Sequence, residues 1–216
     1  MRVEPARSAP QRLVLDGRYV RIEPVGPQHA EGLFAISEGA EATARYRWLP
    51  TEPPASLGDI EDWIVSVQDL PDLYVAVIDQ ASGQVVGRQA WLRIRPEHGS
   101  VEIGGIYWGL PMARSRLATE AFYLFAHHAF DALGYRRFEW KCNDRNEPSK
   151  AAATRFGFQY EGLFRQDMIV KGESRDTAWF SILDSEWPAL RTEFERWLAP
   201  DNFDEMGVQK SRLVLR

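Results

Sequence analysis

The sequence predicts an α+β fold: one domain with a mixed, mostly antiparallel central sheet flanked by helices. Three observations carry that expectation. Three β-type runs follow one another closely between residues 73 and 108, separated only by short turn signals. A long amphipathic segment follows at once, with Ala118, Ala121, Phe122, Phe125, Ala129, Ala132 and Leu133 forming one apolar stripe. The whole order then reads strand, two helices, three strands, helix, strand, helix, two strands, which suits helices crossing over a layered sheet.

Taken in order, Met1 to Pro10 lacks an apolar signal segment, and residues 1–11 read as a flexible leader. Leu13 to Pro24 holds two short alternating runs around Asp16-Gly17, a hairpin signal. Pro27 to Glu38 reads as a helix with Ala30, Leu33, Phe34 and Ser37 on one face. Residues 39–54 are irregular. Ser56 is placed to cap a helix carrying Ile60, Trp63, Ile64 and Val67, with Asp59 in its first turn and Pro71 beyond its end. Leu73 to Asp79, Gln84 to Arg95 and Val101 to Trp108 are the three β runs of an antiparallel meander. The apolar stripe spans Ala118 to Leu133 and stops at Gly134. Arg136 to Cys142 is a further strand. Asn146 to Phe156 is a short helix with Pro148 near its start and Gly157 after its end. Glu161 to Val170 and Thr177 to Leu183 form a hairpin around Lys171-Gly172, and Trp187 to Leu198 is a terminal helix. Residues 199–216 are polar and read as a tail or an arm onto a partner chain, which leaves a homodimer open.

Composition bounds the function. With 216 residues, 44% of them apolar, the chain supports one sizeable core, residues 12–198. A net charge of −5 lacks the basic footprint of a nucleic-acid binder and mildly favours an amine-bearing partner. No apolar run approaches the ~18 residues of a membrane span. The single cysteine, Cys142, allows no intrachain disulfide and fits a reducing cytoplasm. His127 and His128 are adjacent on a helix, point in different directions and make a poor metal pair; no metal site is expected.

Three segments could carry chemistry. The strand ending at Trp108 runs into a long helix, whose exposed N–H groups and dipole suit a phosphate. Arg114 and Arg116 would add charge there, although loop arginines are usually solvated. Asn146 and Ser149 open the short helix and could be an ordinary cap and first-turn serine. Glu102 lies on the strand face opposite Val101 and Ile103, either as an exposed carboxylate or as a general base.

The ordered series E-I-G-G-I-Y-W at 102–108, A-T-E-A at 118–121, L-G-Y-R-R at 133–137, N-E-P-S at 146–149 and R-F-G-F-Q-Y-E-G at 155–162 resembles the GNAT superfamily of N-acetyltransferases, within it the RimJ/RimL-like branch. The resemblance covers about residues 12–198. It implies a GNAT-like domain that moves an acetyl group from acetyl-CoA to a primary amine, a protein or peptide N-terminus or a small amine, by direct transfer in a ternary complex. The alternative is a non-catalytic acyl-CoA-binding module. The cosubstrate would lie between the strand of Ile106, Tyr107 and Trp108 and the strand of Arg137 to Cys142. Amides of Arg114, Ser115, Arg116, Leu117, Ala118 and Thr119 would take the pyrophosphate. Asn143 and Asn146 would hold the pantetheine arm, Ser149 would protonate the leaving thiolate, and Glu102 would be the base. The chain departs from the family loop in placing Arg114 and Arg116 where glycines are usual.

Overall fold

A computed structural model describes residues 4–215. Eight strands form one sheet in the order β1-β2-β3-β4-β5-β6-β8-β7. They are β1 (Leu15–Asp16), β2 (Val20–Pro24), β3 (Leu73–Asp79), β4 (Val85–Arg95), β5 (Ser100–Trp108), β6 (Arg137–Asn143), β7 (Gln159–Val170) and β8 (Glu173–Leu183). Six helices accompany them: α1 (Ala30–Ser37), α2 (Ala42–Tyr46), α3 (Leu57–Gln68), α4 (Arg116–His127), α5 (Glu147–Arg155) and α6 (Trp187–Leu198). Every neighbouring pair is antiparallel except β5–β6. The expected α+β layering is therefore the observed one.

Alternation along the strands builds two cores, one on each face. Val20, Ile22, Val75, Val77, Trp91, Val101 and Ile103 face α4, α5 and α6. Trp91 stacks on Phe125 at 3.9 Å and Phe122 on Phe156 at 4.4 Å, so much of the aromatic content goes into this layer. On the other face Leu33, Ile60, Ile64 and Val67 pack α1 and α3 against the sheet.

Local signals explain most boundaries. Ser56 and Asp59 form a reciprocal capping box at the start of α3. Ser115 caps α4, and Asn146 caps α5. The long apolar stripe is regular only to His127; residues 128–132 widen into a π turn before Gly134 at φ +70°. The 39–54 stretch contains α2, a five-residue helix too short to show a period. The first hairpin turns at 17–19, where the Glu120 carboxylate accepts the N–H groups of Arg18, Tyr19 and Val20 at 2.9, 2.6 and 2.7 Å.

Within the expected leader, of which residues 1–3 lie outside the described residues, Ala6 is buried and donates to Pro96 O, and Arg7 donates to the carbonyls of Leu133, Asp131 and Ala132, the free carbonyl end of the helical segment. The segment after Ala199 folds back on its own domain rather than reaching away from it. Phe203 and Asn202 are buried, Leu213 and Leu215 pack on the main core, and Asn202 Oδ1 accepts from Ser211. Polarity concealed this, because the anchoring apolar residues are few and widely spaced.

Candidate active site

β5 and β6 pair only through Ser100↔Arg137, Val101↔Phe138 and Glu102↔Glu139. Beyond that point no further pairs form between them among the described residues, and each strand keeps its other neighbour. The two strands thus diverge with Glu102 at the apex. On the α4 face the indoles of Trp108 and Trp140, 6.4 Å apart, line the divergence. β5 also carries one extra residue between the Ala90↔Gly104 and Arg88↔Tyr107 pairs. Gly105 takes φ +58° there, and a Cβ on it would sit 2.8 Å from the Tyr74 ring. Only glycine meets both demands, and the bulge re-aims the backbone of Ile106 beside the opening.

Glu102 is 1% exposed, not the solvated strand carboxylate of the bland reading. Lys141 Nζ lies 3.3 Å and Arg93 Nε 3.7 Å from its Oε2, within ion-pair range, yet that oxygen accepts no hydrogen bond. Burial raises the carboxyl pKa to about 7, against the opposing pull of Lys141 and Arg93. Its neighbour Glu139 is already held by Arg137 at 2.7 Å and Arg95 at 3.3 Å. The rings and cations around Glu102 belong to the α1/α3 face: Arg93 and Lys141 both lie over the Trp179 indole.

Across the opening, Ser149 Oγ accepts from Trp140 Nε1 at 3.0 Å, which leaves its own proton free to donate. Cys142 lies beside it; burial pushes that thiol pKa up, with the Ser149 hydroxyl pulling the other way. Asn146 Oδ1 caps Ser149 N at 3.2 Å, so its carbonyl is committed and its amide donors remain. Asn143 Oδ1 accepts from Arg145 N and closes the turn between β6 and α5.

At the start of α4, Arg114 adopts φ +56°, the left-handed conformation a glycine would take with less strain. An exposed arginine thus takes a left-handed conformation at this point of the loop. Arg116 does something else. Its guanidinium lies 4.3 Å from the Tyr19 ring and 5.2 Å from that of Phe203, so it serves the C-terminal segment instead of the loop. Ser115 Oγ takes the Leu117 N–H. Thr119 also departs from the expected set: its side chain is fully buried, and its amide lies past the first turn, where N–H groups are bonded within the helix. Tyr107 turns its ring onto Tyr46 and donates its hydroxyl to Ile36 O, leaving only backbone toward the opening.

Three long cationic side chains tie the elements around the opening together. Arg45 donates to Trp108 O at 2.7 Å and ties α2 to the end of β5. Arg155 donates to Thr119 Oγ1 beneath the first turn of α4. Lys171, at the β7–β8 turn, reaches Tyr46 O at 3.1 Å and Glu52 at 3.2 Å, bridging the two loops over the Glu102 face. Only the alternation that places Lys141 on the face of Glu102 was available as a signal.

The GNAT acetyltransferase domain model matches residues 20–159. The chain belongs to the GNAT acetyltransferase family. Such enzymes are N-acetyltransferases that use acetyl-CoA as cosubstrate. A GCN5-related N-acetyltransferase structure from Brucella melitensis shares 52% identity and a TM-score of 0.94, over 98% of this chain and 96% of that one. The uncharacterized N-acetyltransferase p20 of Bacillus licheniformis is 30% identical over 149 residues, 65% of this chain and 81% of that protein. An acetyltransferase from Salmonella typhimurium that modifies the N-terminal serine of a ribosomal protein shares 16% identity at a TM-score of 0.68, covering 79% of this chain and 99% of that one. That likeness concerns the GNAT fold alone and leaves the RimJ/RimL branch open. No helix among the described residues is long and apolar enough to cross a membrane. The diverging strands, the left-handed loop residue and the open first turn of α4 fit the acetyl-CoA that a GNAT enzyme requires.

Proposed function

We propose that the protein acetylates a primary amine by direct transfer within a ternary complex, with Glu102 as the base. The observation that carries this reading is the apex of the β5–β6 divergence, where a buried carboxylate with one unbonded oxygen and a pKa near 7 faces the acceptor side. Backbone groups of Ile106 and Trp108 hold the pantetheine arm, with Asn146 opposite. The uncommitted amides at the start of α4, those of Arg114, Arg116 and Ala118, hold the pyrophosphate, Ser115 N and Leu117 N being bonded within the loop. Acetyl-CoA supplies the activated acetyl group. The acceptor nitrogen bonds the acetyl carbon as the carbon–sulfur bond breaks; Glu102 takes the nitrogen's proton and later releases it to water, while the Ser149 hydroxyl gives a proton to the departing sulfur and regains one from water. Holding both reactants in one groove supplies much of the acceleration. The resemblance of the sequence motifs to the RimJ/RimL branch supports peptide N-termini as acceptors ahead of small amines.

The test is thiol release from acetyl-CoA across a panel of peptide N-termini and small amines, beside calorimetric binding of CoA. Glu102→Gln is expected to lower turnover by roughly 100- to 10,000-fold with acetyl-CoA affinity nearly intact. Full activity in that variant would remove Glu102 from the mechanism. Tight binding without turnover on any amine would instead support an acyl-CoA-binding module.

A further inference from the structure

The acceptor face carries more buried positive charge than the protein itself neutralises. Arg88, on β4, is 5% exposed. A guanidinium has five N–H donors. Here one hydrogen bond is made, from Nη1 to Gly105 O at 3.3 Å, and the group otherwise lies against the rings of Trp63 at 4.3 Å and Tyr107 at 5.9 Å. Among the described residues no carboxylate comes within ion-pair distance of it. Arg175, on β8, is half-buried. Its Nε donates to Thr177 Oγ1 at 3.2 Å, no carboxylate comes within ion-pair distance of it among the described residues, and burial lowers its pKa against the more distant pull of Cys142, Asp167 and Glu102.

In the sheet these two strands stand on either side of the β5–β6 divergence. Arg88 packs under α3. Arg175 shares a strand face with Thr177 and Trp179, the indole that covers Lys141 and Arg93. Both guanidiniums therefore stand on the face of Glu102, whose single charge is already shared with Lys141 and Arg93. Next to Asn143 a cavity of ≈ 800 Å³ adds Arg145 and Arg165. Its two carboxylates have other commitments: Asp176 accepts from Gln166 N, and Asp144 lies 3.4 Å from Lys150. Buried charges are ordinarily paired, because desolvating a lone ion is unfavourable. One buried and one half-buried guanidinium without such a partner, on the face of Glu102, point to a counter-ion brought by the ligand.

We infer that the acceptor carries a carboxylate in addition to its amine, and that Arg88 and Arg175 hold that carboxylate while the amine faces Glu102. This rests on the proposed transfer reaction and adds the chemical class of its acceptor. Two sources share the chemistry: a free amino acid, through its α-carboxylate, and a peptide whose first side chain is acidic.

Two matched pairs separate the sources. Alanine against alaninamide tests the α-carboxylate. Aspartyl-alaninamide against asparaginyl-alaninamide tests an acidic peptide N-terminus. Each is assayed for thiol release from acetyl-CoA, and each is titrated calorimetrically into the protein saturated with CoA, so that preference is read even where turnover is slow. In at least one pair the carboxylate compound should be favoured by about tenfold or more, chiefly through KM, as expected for a charge-assisted contact. Arg88→Gln and the less buried Arg175→Gln should each shrink that ratio. Equal use and equal binding within both pairs, or a preference that survives in both variants, overturns the inference. If CoA itself fails to bind, the transfer reading falls with it; if CoA binds and the amides do as well as the acids, only the acceptor class is wrong.

Discussion

Glu102 is poised between two opposing influences, burial that disfavours its charge and two cations that favour it. Burial wins, and its pKa of about 7 has two consequences. A base must be ionised, so kcat/KM for a fixed concentration of neutral amine should rise through a limb near pH 7 and then level off; Glu102→Gln should lose that limb. The second concerns stability. The folded pKa lies above the model value of 4.5. Below pH 4.5 the group is protonated in both states and contributes nothing. Between 4.5 and 7 the unfolded chain releases a proton that the native state keeps, and above 7 the native state carries the full penalty of a buried charge. Glu102→Gln should therefore raise Tm at pH 8 relative to wild type by more than it does at pH 5, and an equal change at both would assign the raised pKa to something other than burial. The two arginines of the loop separate similarly. Arg114→Gly should raise ligand-free stability by about 1 kcal/mol, because glycine takes φ +56° with less strain, while weakening CoA through the lost charge. Arg116→Ala should lower Tm and weaken CoA less than Arg114→Gly does, since its guanidinium sits on Tyr19 and Phe203 and reaches the loop only by bracing the start of α4. A larger effect of Arg116→Ala on CoA than of Arg114→Gly would reverse that assignment.

Elements were legible where a local signal fixed them. The capping box at Ser56, the Asn146 cap and the Lys171-Gly172 turn are each set by a few adjacent residues, and α3, α5 and the last hairpin begin or turn where those residues stand, whereas α4 begins at Arg116, ahead of the apolar stripe that announced it. The alternation around Glu102 placed Val101 and Ile103 in the core and the carboxylate on the other face. What one strand could not disclose was how deeply the neighbouring strands bury that face. Nor could sequence reveal that Glu120, a helical residue, holds the first hairpin turn 100 residues away. Its carboxylate accepts three N–H groups while 4% exposed. Glu120→Gln keeps the shape but replaces an anion by a neutral amide whose NH2 faces donors. It should cost about 2 kcal/mol or more, measured by denaturant midpoint. A loss below about 0.5 kcal/mol would mean that the turn holds itself.

At the scale of the whole molecule, a chain of net charge −5 still gathers Arg93 and Lys141 around the buried Glu102, so net charge says little about the charge of any one face. The C-terminal segment shows the same gap between composition and placement. It reads as polar, yet Phe203 packs edge-on against Trp197 at 5.1 Å and against Tyr19 at 5.8 Å. Trp197 Nε1 donates to Gln209, Arg196 to Ser211 and to Arg212 O, and Val214 N to Glu193. Through Tyr19 and Arg116 this segment braces both the first hairpin and the start of α4, the helix whose first turn is assigned to the pyrophosphate. Removing residues 200–216 would uncover Tyr19, Trp197 and the Arg116 guanidinium together. Burial of a Phe side chain alone contributes roughly 1.5–3 kcal/mol, so the truncated chain should melt several degrees lower. It should also bind CoA more weakly, because an unbraced α4 terminus must be ordered by the ligand. Adding saturating CoA should then raise the Tm of the full-length protein more than that of the truncated one, since stabilisation grows with the ratio of ligand concentration to Kd. If truncation lowers Tm but leaves the CoA-dependent increment unchanged, the segment is a staple for the core and has no part in presenting the loop.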